Sequence, residues 1–289
     1  MPDIGDGPVL IAGPTASGKS SLAMDIASQF GGQIVNADAI QVFDEWRVLT
    51  ARPSKDDEAA FPHKLYGHVP LDGEYSVGHW LRDVEPLLKT GPRPIIVGGT
   101  GLYFTALTQG LAQIPEIPQW VRDEGNTIRD RQGHEAMLVD LDTVTVSRID
   151  IQNPMRVQRA WEVWKATGKQ ISVWQDETPP ALLDLDTANA FVMDAPKDWL
   201  NERIAQRFDH MLETGALEEA EEILPRWNPA NLSSKAIGAP ELIAFLRGET
   251  SLDQAKERAT IATRQYAKRQ RTWFKSRMSE WRHINPSST

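Results

Sequence analysis

Apolar positions change period several times along the first hundred residues, and each change marks an element. Val9-Leu10-Ile11-Ala12 is a short unbroken apolar run, the pattern of a strand covered on both faces. Helical spacing takes over across Lys19–Phe30, and residues 33–37 form a second strand-like run. A helix is expected over 76–88, with Pro86 near its end, and a third strand over 94–97 running straight into Gly98-Gly99-Thr100-Gly101. Strand, glycine-rich turn and helix in repetition predict a parallel sheet with crossover helices.

The pattern shifts around Ile114-Pro115-Glu116-Ile117-Pro118. From Trp120 to about Ser172 it is helical, amphipathic and highly charged, and Asp176-Glu177-Thr178-Pro179-Pro180 breaks the chain. Residues 114–185 therefore read as a helical insertion into an α/β core formed by 1–113 and 186–289. One more strand is expected over 190–193, then helices over 198–214, 217–224 and 241–246. Ser251 with Gln254 makes a capping-box pattern for a last helix reaching about Arg277. On it Tyr266, Gln270 and Trp273 share one stripe, and Arg264, Lys268, Arg271 and Lys275 share another.

Charge alters this picture. The 289 residues carry a net −9, which disfavours nucleic-acid binding overall. Yet from Lys256 to Arg282 nine basic and two acidic residues give +7, leaving −16 on the rest. An acidic body thus ends in a basic element. Cysteine is absent, which excludes disulfides and thiolate metal sites. No apolar run approaches the ~18–20 residues of a membrane span. The opening Met1-Pro2-Asp3-Ile4-Gly5-Asp6 lacks the basic and apolar regions of a signal peptide, so a soluble cytoplasmic protein is expected. Several of the ten tryptophans fall in helical segments and read as core or stacking residues.

The strongest chemical signal is Gly13-Pro14-Thr15-Ala16-Ser17-Gly18-Lys19-Ser20, which fits G-x-x-x-x-G-K-[ST] between a strand and a helix. Backbone amides of such a loop point at a polyphosphate, Lys19 supplies positive charge, and the Ser20 hydroxyl suits Mg²⁺. The motif does not say which reaction follows. The strand before Gly98 ends without the carboxylate that motor and switch NTPases place there. Asp38 instead follows the second strand, at the sheet edge where ligands bind. It reads as a general base or metal ligand, or more plainly as a helix N-cap or surface residue.

With these residues assembled, the chain resembles the tRNA dimethylallyltransferase (tRNA isopentenyltransferase) family, bacterial type. The matching segments run in order over roughly 8–277. They are the phosphate loop, Asp38-Ala39-Ile40-Gln41-Val42-Phe43, Thr50-Ala51-Arg52-Pro53, Pro62-His63 and Val97-Gly98-Gly99-Thr100-Gly101-Leu102-Tyr103. Asn153-Pro154-Met155-Arg156, Arg159-Ala160-Trp161-Glu162-Val163, Ala236-Ile237-Gly238 and the segment from Ala262 to Phe274 follow. The resemblance implies a P-loop NTPase-like core and transfer of a dimethylallyl group from dimethylallyl diphosphate to N6 of the adenosine at tRNA position 37. The loop would then hold a leaving pyrophosphate, with Mg²⁺ as cofactor. Asp38 maps to the general base, Thr100 to a hydroxyl near the reacting centre and Arg207 to a further pyrophosphate contact. Asp38, Ala39, Ile40, Gln41, Thr100, Arg122, Gln152, Asn153, Pro154, Met155 and Arg156 map to tRNA contacts. The stripe Arg264, Lys268, Arg271 and Lys275 would meet phosphates of the anticodon stem-loop. A monomer is expected.

Three other readings compete. An ATP-dependent small-molecule kinase shares the loop, Mg²⁺ and an acidic base but not the basic helix. A nucleic-acid-binding module leaves Asp38 and the loop without purpose. Prenyl transfer to free AMP, ADP or ATP keeps the chemistry, whereas the basic helix and the insertion favour a macromolecular acceptor. Five positions depart from the family pattern: Ala39 for Ser, Phe43 for Tyr, Lys64 for a second His, and Tyr66 and Gly67 in Leu65-Tyr66-Gly67 for Leu-Ile-Asp. They bear on tRNA selectivity. His63 is read as structural, and Tyr266 and Trp273 as core.

Overall fold

The computed structural model describes residues 2–286. Its parallel sheet comprises β1 (Val9–Ala12), β2 (Gln33–Asn36), β3 (His63–Lys64), β4 (Pro94–Gly98), β5 (Asn189–Met193) and β6 (Arg282–Ile284), in the order β3-β2-β4-β1-β5-β6. Helices α1 (Lys19–Phe30), α2 (Lys55–Ala60), α3 (Val77–Lys89) and α4 (Gly101–Gln109) fall between or after the first four strands. Next come α5 (Gln119–Gln132), α6 (Thr143–Arg148), α7 (Pro154–Thr167) and α8 (Ile171–Asp176). After β5 follow α9 (Lys197–Glu213), α10 (Ala216–Ile223), α11 (Ala239–Leu246) and α12 (Leu252–Arg277).

Both faces of the sheet are covered, which is why its central strands are apolar without alternation. Leu10, Val35 and Ile96 point to one face and pack with Trp80, Phe104 and Phe274. Val9, Ile11, Ile34 and Ile95 point to the other and meet Ala23 and Ile26 of α1. Burying one such aliphatic side chain contributes about 1.5–3 kcal/mol. Trp80 also donates its indole N–H to the Asn36 carbonyl at 2.7 Å, tying α3 to the end of β2. The capping box of α12 forms as expected, with Ser251 Oγ accepting from the Gln254 amide. Along its length α12 places Ala259, Ala267 and Phe274 in three separate apolar clusters.

Two strands carry almost no apolar signal. His63-Lys64 and Arg282-His283-Ile284 are edge strands, recruited by pairing with β2 and β5. The His63 ring nitrogen Nδ1 lies 2.9 Å from the Phe61 carbonyl, and its ring meets Tyr66 edge-on. That is a packing role.

The chain forms two compact units. Gln109–Ala181 is one, and the described residues on either side of it make the other. The first has its own core of Val121, Met137, Val157 and Trp161. There the Trp161 indole N–H is satisfied by Asp140 at 2.9 Å.

Candidate active site

Because the strands are parallel, their carboxyl ends lie at one edge of the sheet. The turns after β1, β2 and β4 meet there, as ligand sites do in open α/β folds. The turn after β1 is the phosphate loop. Ala16 has φ +63° and Gly18, the N-cap of α1, has φ +86°. Gly18 supplies no capping side chain, so the first amides of α1 are left for an anion. Lys19 folds back and donates to the Pro14 carbonyl at 2.7 Å. Arg203 on α9 donates Nε–H to the Ala16 carbonyl at 3.0 Å and stacks on Trp199.

The turn after β2 is braced by Asn36. Its Oδ1 accepts from the Asp38 amide at 2.8 Å, and its Nδ2 donates to the carbonyls of Asp38 and Leu65. Asp38 Oδ1 accepts from the Ile40 amide at 3.0 Å. No helix begins here, so Asp38 is not an N-cap. The turn after β4 brings Thr100, whose Oγ1 accepts from the Ala39 amide at 2.9 Å.

Two cavities adjoin these turns, and Thr15, Asp38, Arg207 and Tyr266 line both. The smaller, about 70 Å³, also takes Lys19, Ser20 and Gln41. The larger, about 440 Å³, adds Ala39, Ile40 and Thr100, with an apolar wall of Leu49, Ile204, Phe208, Met211 and Ile237. Burial pushes Lys19 down to about 7; the charge of Asp38 opposes this and that of Arg207 adds to it. Burial also lowers Arg207, again against the pull of Asp38. Two half-buried basic side chains thus face one carboxylate, which is an arrangement for a polyanion.

The remaining question is what kind of enzyme carries such a site. The IPP transferase profile matches residues 41–277, and an isopentenyl transferase profile matches 8–62. The chain belongs to the IPP transferase family. Its relatives include the tRNA dimethylallyltransferase of Dinoroseobacter shibae, 60% identical over 294 residues spanning 100% of this chain and 99% of that protein. That of Cereibacter sphaeroides is 59% identical over 279 residues, covering 96% of each. Among solved structures, a full-length tRNA isopentenylpyrophosphate transferase from Bacillus halodurans superposes with a TM-score of 0.69 at 27% identity. It covers 98% of this chain and 90% of that one.

Within this member of the IPP transferase family, Thr15, Lys19 and Ser20 reach the smaller cavity. Gly13, Pro14, Ala16, Ser17 and Gly18 build the loop behind them. Gln41 spends its amide on the carbonyls of Thr50 and Ala51. Arg264, Lys268 and Lys275 are exposed on α12 and Arg271 half-buried, and none lines either cavity. Arg122 lies on α5, and Gln152 to Arg156 lie at the start of α7. There Asn153 caps the helix through the amides of Met155 and Arg156, and Pro154 takes its first turn.

Sequence reasoning passed over four site-facing residues. Tyr266, expected in the core, lines both cavities, and Arg269 lines the larger. Arg203 and Gln270 hold the phosphate loop through its backbone. The available signal was a glutamine on an otherwise inward stripe of α12, since a buried amide must find partners.

Among the described residues no cluster of three His, Cys, Asp or Glu could hold a metal. The Ser20 hydroxyl and the Asp38 carboxylate do line the same small cavity. Both are hard oxygen donors, and Mg²⁺ takes few protein ligands and completes its shell with phosphate oxygens and water. The donor set fits that ion.

The depressed Lys19 has a consequence for the ligand-free protein. Between about 7 and its ordinary 10.5 the unfolded chain keeps a proton there that the folded chain has lost. Stability from this group therefore rises with pH across that window. We expect Lys19→Met to raise the melting temperature relative to wild type most at pH 6, with the difference shrinking toward pH 10. A difference constant from pH 6 to 10 would mean that Lys19 titrates normally.

Proposed function

We propose that the protein transfers the dimethylallyl group of dimethylallyl diphosphate to N6 of adenosine 37 in tRNA, releasing pyrophosphate and forming N6-isopentenyladenosine. The observation that carries this reading is the junction of two cavities. A small polar one beside Lys19 and Ser20 suits a diphosphate, and a larger one with an apolar wall suits a prenyl chain and a base. Asp38 lies where they meet.

In this reading the bond from the allylic carbon to the diphosphate oxygen breaks as N6 attacks that carbon. Lys19, Arg207 and the loop amides take up the charge on the leaving oxygens. Asp38 accepts the proton that N6 loses as the C–N bond forms. Thr100, held by the Ala39 amide, orients the acceptor side. When bound, Mg²⁺ held by Ser20 would neutralise further diphosphate charge. The target base leaves its stack to reach the cavity. The enzyme works as a cytoplasmic monomer, with the anticodon stem-loop contacted by Arg122, the segment from Gln152 to Arg156 and the basic stripe of α12.

Incubation with Mg²⁺, radiolabelled dimethylallyl diphosphate and unmodified tRNA tests this, with AMP and ADP in parallel. Label in tRNA, lost when adenosine 37 is replaced, is the expected result. Label only in free nucleotide would overturn the acceptor, and label nowhere would overturn the reaction. The stripe has its own test. Lys268→Ala/Arg271→Ala should weaken tRNA binding and flatten the dependence of log affinity on log salt by up to ~2 in slope. An unchanged slope would put the stripe outside the interface.

A further inference from the structure

Gln270 lies on α12, and only 5% of it is exposed. Its Oε1 accepts from the Thr15 amide at 2.8 Å, and its Nε2 donates to the Gly99 carbonyl at 2.9 Å. Thr15 belongs to the loop after β1 and Gly99 to the turn after β4, and these strands are hydrogen-bonded neighbours. One side-chain amide therefore bridges the loop facing the diphosphate cavity and the turn that carries Thr100.

The surroundings are shaped to admit this bridge. A β-carbon at Gly99 would collide with the Gln270 amide nitrogen, and one at Gly101 would collide with the Trp273 ring. The glycines of Gly98-Gly99-Thr100-Gly101 thus let α12 approach the sheet edge. The Gly99 position also lies against Asp38, 3.3 Å from Oδ2 to such a β-carbon. One helical turn before Gln270, Tyr266 lines the larger cavity together with Thr100 and the smaller one together with Gln270. The Thr100 amide in turn donates to the Ala37 carbonyl at 3.1 Å, joining the turns after β4 and β2.

We propose that Gln270 is a positioning residue that holds the donor cradle and the Thr100 turn at one fixed spacing, and so sets the approach of the allylic carbon to the acceptor amine. The inference rests on the proposed transfer reaction. Gln270 borders the smaller cavity and not the larger, but both ends of its amide are spent on Thr15 and Gly99, and it acts through them. Attack requires reacting atoms about 3–3.5 Å apart, and a displacement of about 1 Å costs up to ~100-fold in rate. A bridge between the two half-sites is therefore worth a measurable part of the rate without contributing to tRNA affinity.

The test uses single-turnover transfer with both substrates saturating, alongside tRNA binding and thermal melting. Gln270→Met keeps the length of the side chain and removes both hydrogen bonds. It should slow transfer about tenfold or more, with tRNA affinity within about twofold of wild type. Gly99→Ala pushes the amide away from the other side and should slow transfer comparably. The double variant should be no slower than the slower single, because both changes break the same bridge. A Gln270→Met rate within twofold of wild type would overturn the proposal. So would multiplying effects in the double variant, or loss of tRNA binding and of the melting transition together with the rate. Wild-type transfer in the same assay keeps the two readings apart: if wild type labels tRNA and Gln270→Met matches it, only the positioning role fails. If wild type transfers nothing, the reaction itself fails.

Discussion

Asp38→Asn should slow single-turnover transfer to tRNA by about 100-fold or more, the scale of losing a general base. The substitution preserves the shape of the turn, although it also removes the counter-charge facing Lys19 and Arg207. Asparagine keeps the oxygen that accepts from the Ile40 amide, and the brace from Asn36 reaches the backbone of residue 38 rather than its side chain. The turn should stay in place and tRNA affinity should remain within about twofold. What disappears is the negative charge that can take a proton from N6. That amine is a weak nucleophile, because its lone pair is delocalised into the adenine ring. The loss should therefore appear in the chemical step and not in the Michaelis constant for tRNA. A filter-binding titration beside a quenched time course separates the two. A variant that transfers at near-normal rate would remove Asp38 from the role of base.

Arg207→Met is expected to have an effect of similar size by another route. The Arg207 side chain is half-buried beside both cavities, opposite Asp38 and near Lys19. A preorganised cation aimed at a leaving group in a water-poor site is worth about 10²–10³ in rate. Charge on the diphosphate grows as the allylic bond breaks, so kcat should fall and the Michaelis constant for the donor should rise. Removing a half-buried cation also relieves its desolvation, so the ligand-free variant should melt no lower than wild type. An unchanged kcat with only weaker donor binding would make Arg207 a ground-state contact and not a stabiliser of the leaving group.

The sheet was legible because its central strands are short apolar runs closed by glycine or a polar turn. Val9-Leu10-Ile11-Ala12 and Pro94-Ile95-Ile96-Val97 announce themselves in any window of a few residues. Edge strands do not. His63-Lys64 and Arg282-His283-Ile284 owe their extended backbone to a partner strand, which periodicity cannot register. The phosphate loop was legible for another reason. Its function depends on backbone geometry, and glycine at fixed spacing is the local trace of that geometry. Asp38 was legible as a candidate only by its place after a strand. Its freedom from helix capping became visible when the turn did.

The sequence by itself determined the parallel α/β core, the phosphate loop, the basic final helix and the family to which the chain belongs. All of these are written in contiguous segments, where local propensity and spacing suffice. Only the tertiary structure decided which side chains meet. Gln270 finds Gly99 across 171 positions of chain and Thr15 across 255. Tyr266 and Arg269 line a cavity whose other wall comes from α9 and the turns after β2 and β4, while Lys268 on the same helix faces solvent. The physical reason is the rigidity of the packed sheet edge. Parallel strands bring three distant turns together there, and α12 is seated against them by glycines too small to hold it off. Which of its residues point inward follows from that seating, and no window of sequence contains both sides of the contact.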